Sequence, residues 1–449
     1  MGDNTVESNE IREKLMASDS RTIFANKSLL DPRTIISPNR IVGRNDQIDQ
    51  LSSNINDILS GNRAPDLLLY GPSGTGKSLI TGAVTQELIN IEPNFGVIKV
   101  NCRKIKSFDE AIYFLAKNGA KEFGVDFDLP QRGIETSRKI DYLFDLIDDK
   151  TEYVSIVLDE IDQLKGRNKT KDEDPAFCDL LYHLSRSTDF GLDSKLSVIT
   201  LTNDPSFLDQ LDGRSSSSFH PTEIVFPDYD ANELQSILQN RMDAYKSGAV
   251  DNGIISYAAA LAAADHGDAR RAIDLFRTAG ELAERNNEQS VTEDHVRKAQ
   301  DIEEQAIETE QIKSLSPNKQ LTLYSIITVS KYANTTKVPI PVCYEVYEGL
   351  TNKLDRSTKS QQSFWRYVRE LETYRLIDSH RETTNVRERT KFVDPRLSVE
   401  NIKKPLIEGL NYDALSDDQD LIKEFAQTKI NQSSYNKSKT TLSDYNSNQ

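Results

Sequence analysis

The chain has 449 residues, with 55 Lys and Arg against 71 Asp and Glu, and therefore a formal net charge of −16. This balance excludes a uniformly basic, histone-like protein, but it allows basic charge to be concentrated in one domain. No run of about 18 apolar residues is present and the first residues lack signal-peptide features, so we expect a cytoplasmic protein with no membrane span. Three widely spaced cysteines, Cys102, Cys178 and Cys343, favour neither a disulfide scaffold nor a structural zinc site.

Composition divides the chain into five segments. The two ends are polar and have little to bury, so we predict a flexible arm and a largely disordered tail there. Between them lie an α/β core, an all-helical segment and a basic domain. The predicted segments are the arm at 1–20, the core at 21–227, the helical segment at 228–313, the basic domain at 314–405 and the tail at 406–449.

The core begins with short apolar runs that alternate with helical patterns. That alternation predicts a parallel sheet with helices on both of its faces. The strand candidates are Asp66–Tyr70, Val97–Val100, Val154–Leu158, Leu196–Leu201 and Glu223–Phe226.

The first strand leads into a glycine-rich loop that is followed directly by a helical pattern. The loop consists of Gly71, Pro72, Ser73, Gly74, Thr75, Gly76, Lys77 and Ser78. Its pattern, G-x-x-x-x-G-K-[ST], lets backbone N–H groups surround phosphate oxygens at the positive end of a helix dipole. We expect Lys77 to reach the β- and γ-phosphates of ATP, or the phosphates of ADP, and Ser78 to ligate Mg²⁺.

Two further strands end in polar residues of the kind that nucleotide hydrolysis requires. Asp159 and Glu160 follow an apolar strand, where Asp159 could hold the Mg²⁺ shell and Glu160 could polarise the attacking water. Asn203 follows the next strand and could orient the same water, although Asn at a strand end is also common turn chemistry.

The segment after the core has helical patterns only, in particular over Tyr257–Ala264 and Ala269–Arg285. A helical block that directly follows a nucleotide-binding core suggests a lid. Arg270 lies at the start of its second pattern, where the residues alone favour a solvated helix face.

The basic domain carries 16 Lys and Arg against 10 Asp and Glu, a net charge of +6 over 314–404. Three helices, at Lys319–Lys331, Val342–Leu350 and about Lys359–Tyr374, are followed by two short strands, which is the plan of a winged helix-turn-helix. At 100° per residue, one face of the third helix is polar and the opposite face is apolar. The DNA-binding candidates are Lys359, Gln362, Arg366 and Arg369 on that polar face, and Arg387 and Arg389 in the wing.

The core and lid resemble an AAA+ ATPase, and the order of core, lid and winged helix resembles the archaeal origin-recognition/cell-division-control replication initiators. The segments that carry this resemblance are Ile41–Arg44, Leu158–Asp162, Ile224–Asp230 and Gly267–Arg271. The resemblance implies an ATP-dependent, nucleoid-associated initiator that binds double-stranded origin DNA, helps to recruit the replicative helicase and self-associates on DNA. Any ATPase activity is expected to be slow.

The resemblance also assigns roles to particular residues. Ile41 and Val42 would pack around adenine, and Tyr229 and Arg241 would contact nucleotide at the junction of core and lid. Arg270 would contact the γ-phosphate from the lid, and Arg214 would reach the nucleotide of a neighbouring subunit.

Two segments depart from the pattern of the family. The counterpart of a DNA-touching helical insertion, Val125–Ser137, carries Asp126 and Asp128, which weakens the expectation of a phosphate contact. The wing tip, Glu382–Glu388, lacks the glycine that the family often has, which argues against insertion of the tip into the minor groove.

Two other functions remain open from the residues. A motor-type AAA+ ATPase, such as a clamp loader, would show fast DNA-stimulated turnover, but it does not need the basic winged domain. A signalling or transcription NTPase that uses the winged helix as an internal latch would bind DNA weakly in every nucleotide state.

Overall fold

The computed structural model describes residues 22–31, 41–166, 174–265, 267–333, 337–385 and 388–395. Contacts divide the chain into two units, residues 1–299 and residues 300–449, which are described separately below. The predicted arm and tail, and Arg387 in the wing tip, lie outside the described residues. Within the described part of the chain, no helix is long and apolar enough to cross a membrane.

The first unit is built on a five-stranded parallel sheet with the order β2-β3-β4-β1-β5. The strands are β1 Leu67–Tyr70, β2 Phe95–Asn101, β3 Tyr153–Asp159, β4 Lys195–Thr202 and β5 Thr222–Val225. All five predicted strands are confirmed. Since β1 and β3 both pair with β4, the carboxyl ends of the strands that precede Gly71 and Glu160 lie at the same edge of the sheet.

Among the described residues, five α-helices pack against this sheet, α1 Asn45–Ile55, α2 Lys77–Ile91, α3 Phe108–Glu122, α4 Thr136–Lys150 and α5 Ala176–Ser185, and the short α6 Gly213–Ser218 packs against α5. Side chains alternate across each strand, and the alternation leads to two separate apolar cores. Leu68 of β1 packs in the core that contains α3, α4 and α5, whereas Leu67 and Leu69 pack in the core that contains α1 and α2. Helices therefore lie on both faces, as predicted.

The remaining helices of this unit form the lid: α7 Ala231–Gln239, α8 Asn252–Ala264, α9 Ala269–Arg285 and the first part of α10 Glu293–Ser314. Residues 22–31, which the sequence placed with the α/β core, pack in the apolar core of the lid. Phe24 forms an antiparallel bridge with Tyr245, and the Lys246 amide donates to the Ile23 carbonyl over 2.9 Å.

The segment expected to supply a helical insertion is not helical over most of its length. Residues 125–135 form no helix, and α4 begins at Thr136. The buried Lys139 holds this segment in place, because its Nζ donates to Asp109 Oδ1 at 2.7 Å and to the Gln131 carbonyl at 2.9 Å. The segment is thus a loop that is tied to α3 and α4 through Lys139.

The described part of the second unit begins with the rest of α10, which is followed by α11 Pro317–Ala333, α12 Ile340–Lys353 and α13 Gln361–Thr373. The antiparallel strands β7 Ile377–Asn385 and β8 Glu388–Pro395 follow them, and the short β6 Val338–Pro339, which the sequence did not predict, pairs with β8. Phe364, Val368 and Leu371 of α13 are buried in the core of this unit. The predicted winged helix-turn-helix is confirmed.

Candidate functional site

The glycine loop joins β1 to α2 in a backbone conformation that side chains other than glycine rarely adopt. Gly74 and Gly76 have φ values of +75° and +94°. A Cβ at Gly76 would lie 2.8 Å from the Tyr229 hydroxyl, and a Cβ at Gly74 would overlap the Asp268 carboxylate. The glycines therefore allow both the turn of the loop and the close approach of the lid.

Lys77 lies at the start of α2 and donates to three acceptors that surround the loop. Its Nζ is 2.6 Å from the Gly71 carbonyl, 2.7 Å from the Pro72 carbonyl and 2.9 Å from Asn203 Oδ1. Burial lowers the pKa of Lys77 to about 8, against the opposing effect of Asp159 and with a further lowering by Arg270. The three acceptors are uncharged, so a phosphate group would give this buried ammonium group a directly bonded anionic partner.

Ser78 and Asp159 come together at the edge of the sheet, where the Ser78 hydroxyl donates to Asp159 Oδ2 over 2.9 Å. A hydroxyl and a carboxylate are the two protein oxygens that a nucleotide-bound Mg²⁺ needs, since phosphates and water complete its shell. The donor set of the chain therefore fits Mg²⁺.

Glu160 follows Asp159 with a left-handed backbone, at φ 53° and ψ 45°. Such a conformation is costly for a residue with a side chain and is frequent at functional sites. Its carboxylate is partly exposed and lies 3.9 Å from Arg103 Nε. The following turn is fixed by Asp162, which accepts a hydrogen bond from Thr202 Oγ1 of β4 at 2.8 Å.

A cavity of about 620 Å³ lies between the glycine loop and the lid. It brings together most of the residues that the sequence predicted to bind or hydrolyse nucleotide. These are Ile41, Val42, Ser73, Gly74, Thr75, Gly76, Lys77, Ser78, Asp159, Glu160 and Asn203 from the core, and Tyr229, Arg241 and Arg270 from the lid. Gly71 and Pro72 do not line the cavity, but their carbonyl groups hold Lys77.

Two arginines of the lid line the cavity, and different contacts hold each of them in place. Asp268 caps the start of α9, accepting from the Arg270 amide at 2.7 Å, which places the exposed Arg270 side chain at the cavity. Arg241 is buried, and its Nη1 donates to the Leu29 carbonyl of the N-terminal segment over 2.7 Å. That support was not foreseen from the sequence.

Arg214 is not part of this cavity. It lies on α6, 58% exposed, and pairs with Asp212 at 2.9 Å and Asp179 at 3.1 Å. Its guanidinium carbon also lies 5.6 Å from the ring centre of Tyr182. The two carboxylates hold the arginine on the surface of the core, outside the cavity.

Arg44 is a site residue to which the sequence alone gave no role, although it ends the segment Ile41–Arg44. Its side chain is only 2% exposed, and it bonds to the Thr75 carbonyl of the loop at 2.9 Å and to the Pro227 carbonyl at 2.6 Å. Both partners are distant in sequence, so local pattern gave no signal. The available signal was the position of the arginine, directly before a helix and next to Ile41 and Val42.

In the winged unit, Gln362, Arg366 and Arg369 are exposed on α13, opposite its buried face. Lys359 is not on that helical face, which corrects the prediction. The Ser360 hydroxyl accepts from the Ser363 amide and caps the helix, so α13 begins at Gln361, after Lys359. Arg389 lies in β8, but its side chain is outside the described part of the structure.

The fold and the cavity define an AAA+ ATPase with a helical lid and a winged helix. Three family models match the chain in that order. They are "ATPase family associated with various cellular activities (AAA)" over residues 67–221, "Cdc6 AAA+ ATPase-type lid domain" over 235–301 and "CDC6, C terminal winged helix domain" over 310–404.

Curated relatives narrow this class. ORC1-type DNA replication protein 5 of Halobacterium salinarum is 42% identical over 81% of this chain and 86% of its own length. ORC1-type DNA replication protein 14 of Haloarcula marismortui is 42% identical over 82% and 86%. The structure of the Aeropyrum pernix Orc1 protein in complex with DNA matches with a TM-score of 0.69 and 29% identity, over 86% of this chain and 97% of that one. The chain belongs to the family of ORC1-type DNA replication proteins.

Proposed function

We propose that this protein is an ATP-dependent initiator of DNA replication that binds double-stranded origin DNA and helps to recruit the replicative helicase. The observation that carries the proposal is the composition of the cavity: loop residues from the core and Arg270 from the lid face the same space. A nucleotide that contacts both the core and the lid stabilises one arrangement of the two, and which arrangement it stabilises depends on whether the γ-phosphate is present.

The core residues support binding of ATP or ADP with Mg²⁺. Lys77 supplies a buried cation to the phosphates, and Ser78 and Asp159 would hold the Mg²⁺. When bound, the metal ion neutralises charge on the β- and γ-phosphates. Ile41 and Val42, on the wall of the same cavity, offer apolar surface to adenine.

Slow hydrolysis would depend on four residues of this chain and its neighbours. Glu160 would accept a proton from the attacking water, and Asn203 would orient that water after a phosphate has replaced its bond to Lys77. Arg270 would stabilise the γ-phosphate from the lid, and Arg214 would serve the nucleotide of an adjacent copy on DNA.

The winged unit supports duplex binding. Gln362, Arg366 and Arg369 form an exposed, cationic face on a helix whose other face is buried. Arginine pairs well with guanine or phosphate, and Gln pairs with adenine in the major groove. The Aeropyrum pernix Orc1 protein, the similar structure described above, is itself in complex with DNA.

A duplex-binding titration tests the proposal. Fluorescent origin and random duplexes are titrated with protein that is nucleotide-free, ADP-bound or ATP-bound, at several salt concentrations, with Lys77→Ala as the control for nucleotide dependence. We expect origin DNA to be preferred and the preference to change with the nucleotide. Because phosphate contacts weaken with salt, the salt series separates them from base contacts. Identical binding to both duplexes in all states would contradict the proposal.

A further inference from the structure

Arg44 occupies a position between three parts of the nucleotide-binding unit. Its Nε donates to the carbonyl of Thr75 in the glycine loop, and its Nη2 donates to the carbonyl of Pro227, just before the lid. Its Nη1 lies 3.8 Å from Glu233 Oε1 on α7, the first helix of the lid. Its guanidinium carbon lies over the ring of Tyr229, 3.7 Å from the ring centre.

Only an arginine side chain can make this set of contacts. The guanidinium group has donors in a rigid plane and a face that stacks on aromatic rings, whereas a lysine ammonium group has neither. Burying a cation that is only 2% exposed also costs free energy unless its donors are satisfied. The carbonyls of Thr75 and Pro227 and the carboxylate of Glu233 are therefore held in positions that satisfy it.

The contacts of Tyr229 continue this connection toward the γ-phosphate side of the cavity. The Tyr229 amide donates to the Gly267 carbonyl over 3.1 Å. Gly267 is followed by Asp268, whose carboxylate caps α9 at the Arg270 amide. Between Thr75 and Arg270 there is thus a continuous series of hydrogen bonds and contacts, in which the step from Arg44 to Tyr229 is the contact of the guanidinium group with the ring.

We propose that Arg44 is a positioning residue that transmits occupation of the glycine loop to Arg270 on the lid. The inference rests on the proposed function, because it concerns how the same cavity distinguishes ATP from ADP. A phosphate that draws in the loop moves the Thr75 carbonyl, and the guanidinium group carries this displacement to Tyr229 and Glu233. Arg270 then approaches the γ-phosphate from a lid that is already aligned.

A double-mutant cycle of Arg44→Lys and Arg270→Ala tests this inference, with the ratio of ATP to ADP affinity, from calorimetry, as the readout. If Arg44 acts through Arg270, each single variant lowers the ratio by roughly threefold to tenfold, and the double variant lowers it no further. If Arg44 has only a structural role, Arg44→Lys weakens ATP and ADP equally and leaves the ratio unchanged, which would overturn the inference.

Gln47→Ala is the matched control, because Gln47 lies on α1 and donates to the Val225 carbonyl at 3.1 Å, an acceptor of β5 in the core rather than of the lid. It should leave the ratio unchanged. If Arg44→Lys does not fold, as judged by its urea midpoint, Glu233→Gln replaces it: this variant neutralises the lid partner and keeps an oxygen for the Asp230 amide. It should lower the ratio in the same direction, and an unchanged ratio would again overturn the inference.

The wild-type protein distinguishes this inference from the proposed function. If wild-type protein binds ATP and ADP with the same affinity, the proposed nucleotide switch fails and the inference fails with it. If wild-type protein discriminates between them and the Arg44 and Glu233 variants discriminate equally well, the proposed function stands and only the role of Arg44 is wrong.

Discussion

The Ser78 hydroxyl and the Asp159 carboxylate are 81 positions apart in the chain and 2.9 Å apart in space. Sheet order explains this contact, because β1 and β3 flank β4 and end at the same edge. The loop and the acidic strand therefore form one site, and their substitutions should have separable effects on binding and on hydrolysis.

Lys77→Ala should abolish useful nucleotide binding. The variant removes a buried cation that lies among three oxygen acceptors, so we expect a loss of about 2 kcal/mol or more in the free energy of ATP binding. Calorimetric titration with ATP measures it. Lys99→Ala is the control, since Lys99 is also a lysine whose pKa burial lowers, but it lies on β2 outside the cavity. Wild-type affinity in Lys77→Ala would refute the loop assignment.

Glu160→Gln should keep ATP bound and remove hydrolysis. The amide has nearly the shape of the carboxylate but cannot accept the proton of water, and loss of a general base costs about 10²–10⁴-fold in rate. Phosphate release under single-turnover conditions measures this, alongside ATP affinity. Glu152→Gln, just before the same strand β3, should hydrolyse ATP normally. Normal turnover in Glu160→Gln would remove Glu160 from its proposed role.

Arg366→Ala should weaken duplex binding by about 1–3 kcal/mol if the guanidinium group reads a base. Arg366 is 66% exposed, and its Nε lies 3.9 Å from Glu370 Oε1, which is too far for a hydrogen bond. The side chain is therefore held loosely before DNA binds. Anisotropy titrations with a set of singly substituted duplexes measure where discrimination is lost. Arg366→Lys keeps the charge without the planar fork. Equal losses on all duplexes, recovered by the lysine variant, would instead show a phosphate contact.

The three thiols should be unreactive in the native protein. Cys102, Cys178 and Cys343 are buried, and burial raises the pKa of Cys102 to about 12 and also raises the pKa of the other two. At pH 8 about one Cys102 in 10⁴ would be a thiolate, which is the reactive form. A chromogenic disulfide should therefore titrate all three only in denaturant, while Ser206→Cys adds one fast native thiol. Rapid native reaction of the wild-type protein would contradict this burial.

Local patterns in the sequence were enough to predict the five strands, the glycine loop and α9, because the apolar periodicity of a strand or an amphipathic helix can be recognised within a short stretch of sequence. The start of α13 was missed by two residues, since the apolar pattern does not show that the Ser360 hydroxyl caps the helix and sets its first residue at Gln361. Arg44 was missed for a different reason. Arg44 acts by donating to the carbonyls of Thr75 and Pro227, which become its neighbours only when the sheet and lid have formed.

The segment 22–31 has a consequence for how the protein is made. The Leu29 carbonyl meets Arg241, which is 212 positions later in the chain. At roughly 5–20 residues per second, a ribosome needs on the order of 10–40 s to supply that partner. All five strands of the parallel sheet are synthesised in the meantime. A chain truncated after residue 230 should therefore contain every strand of the sheet, while Phe24 and Leu30 lack the lid core against which they pack and remain open to chaperones.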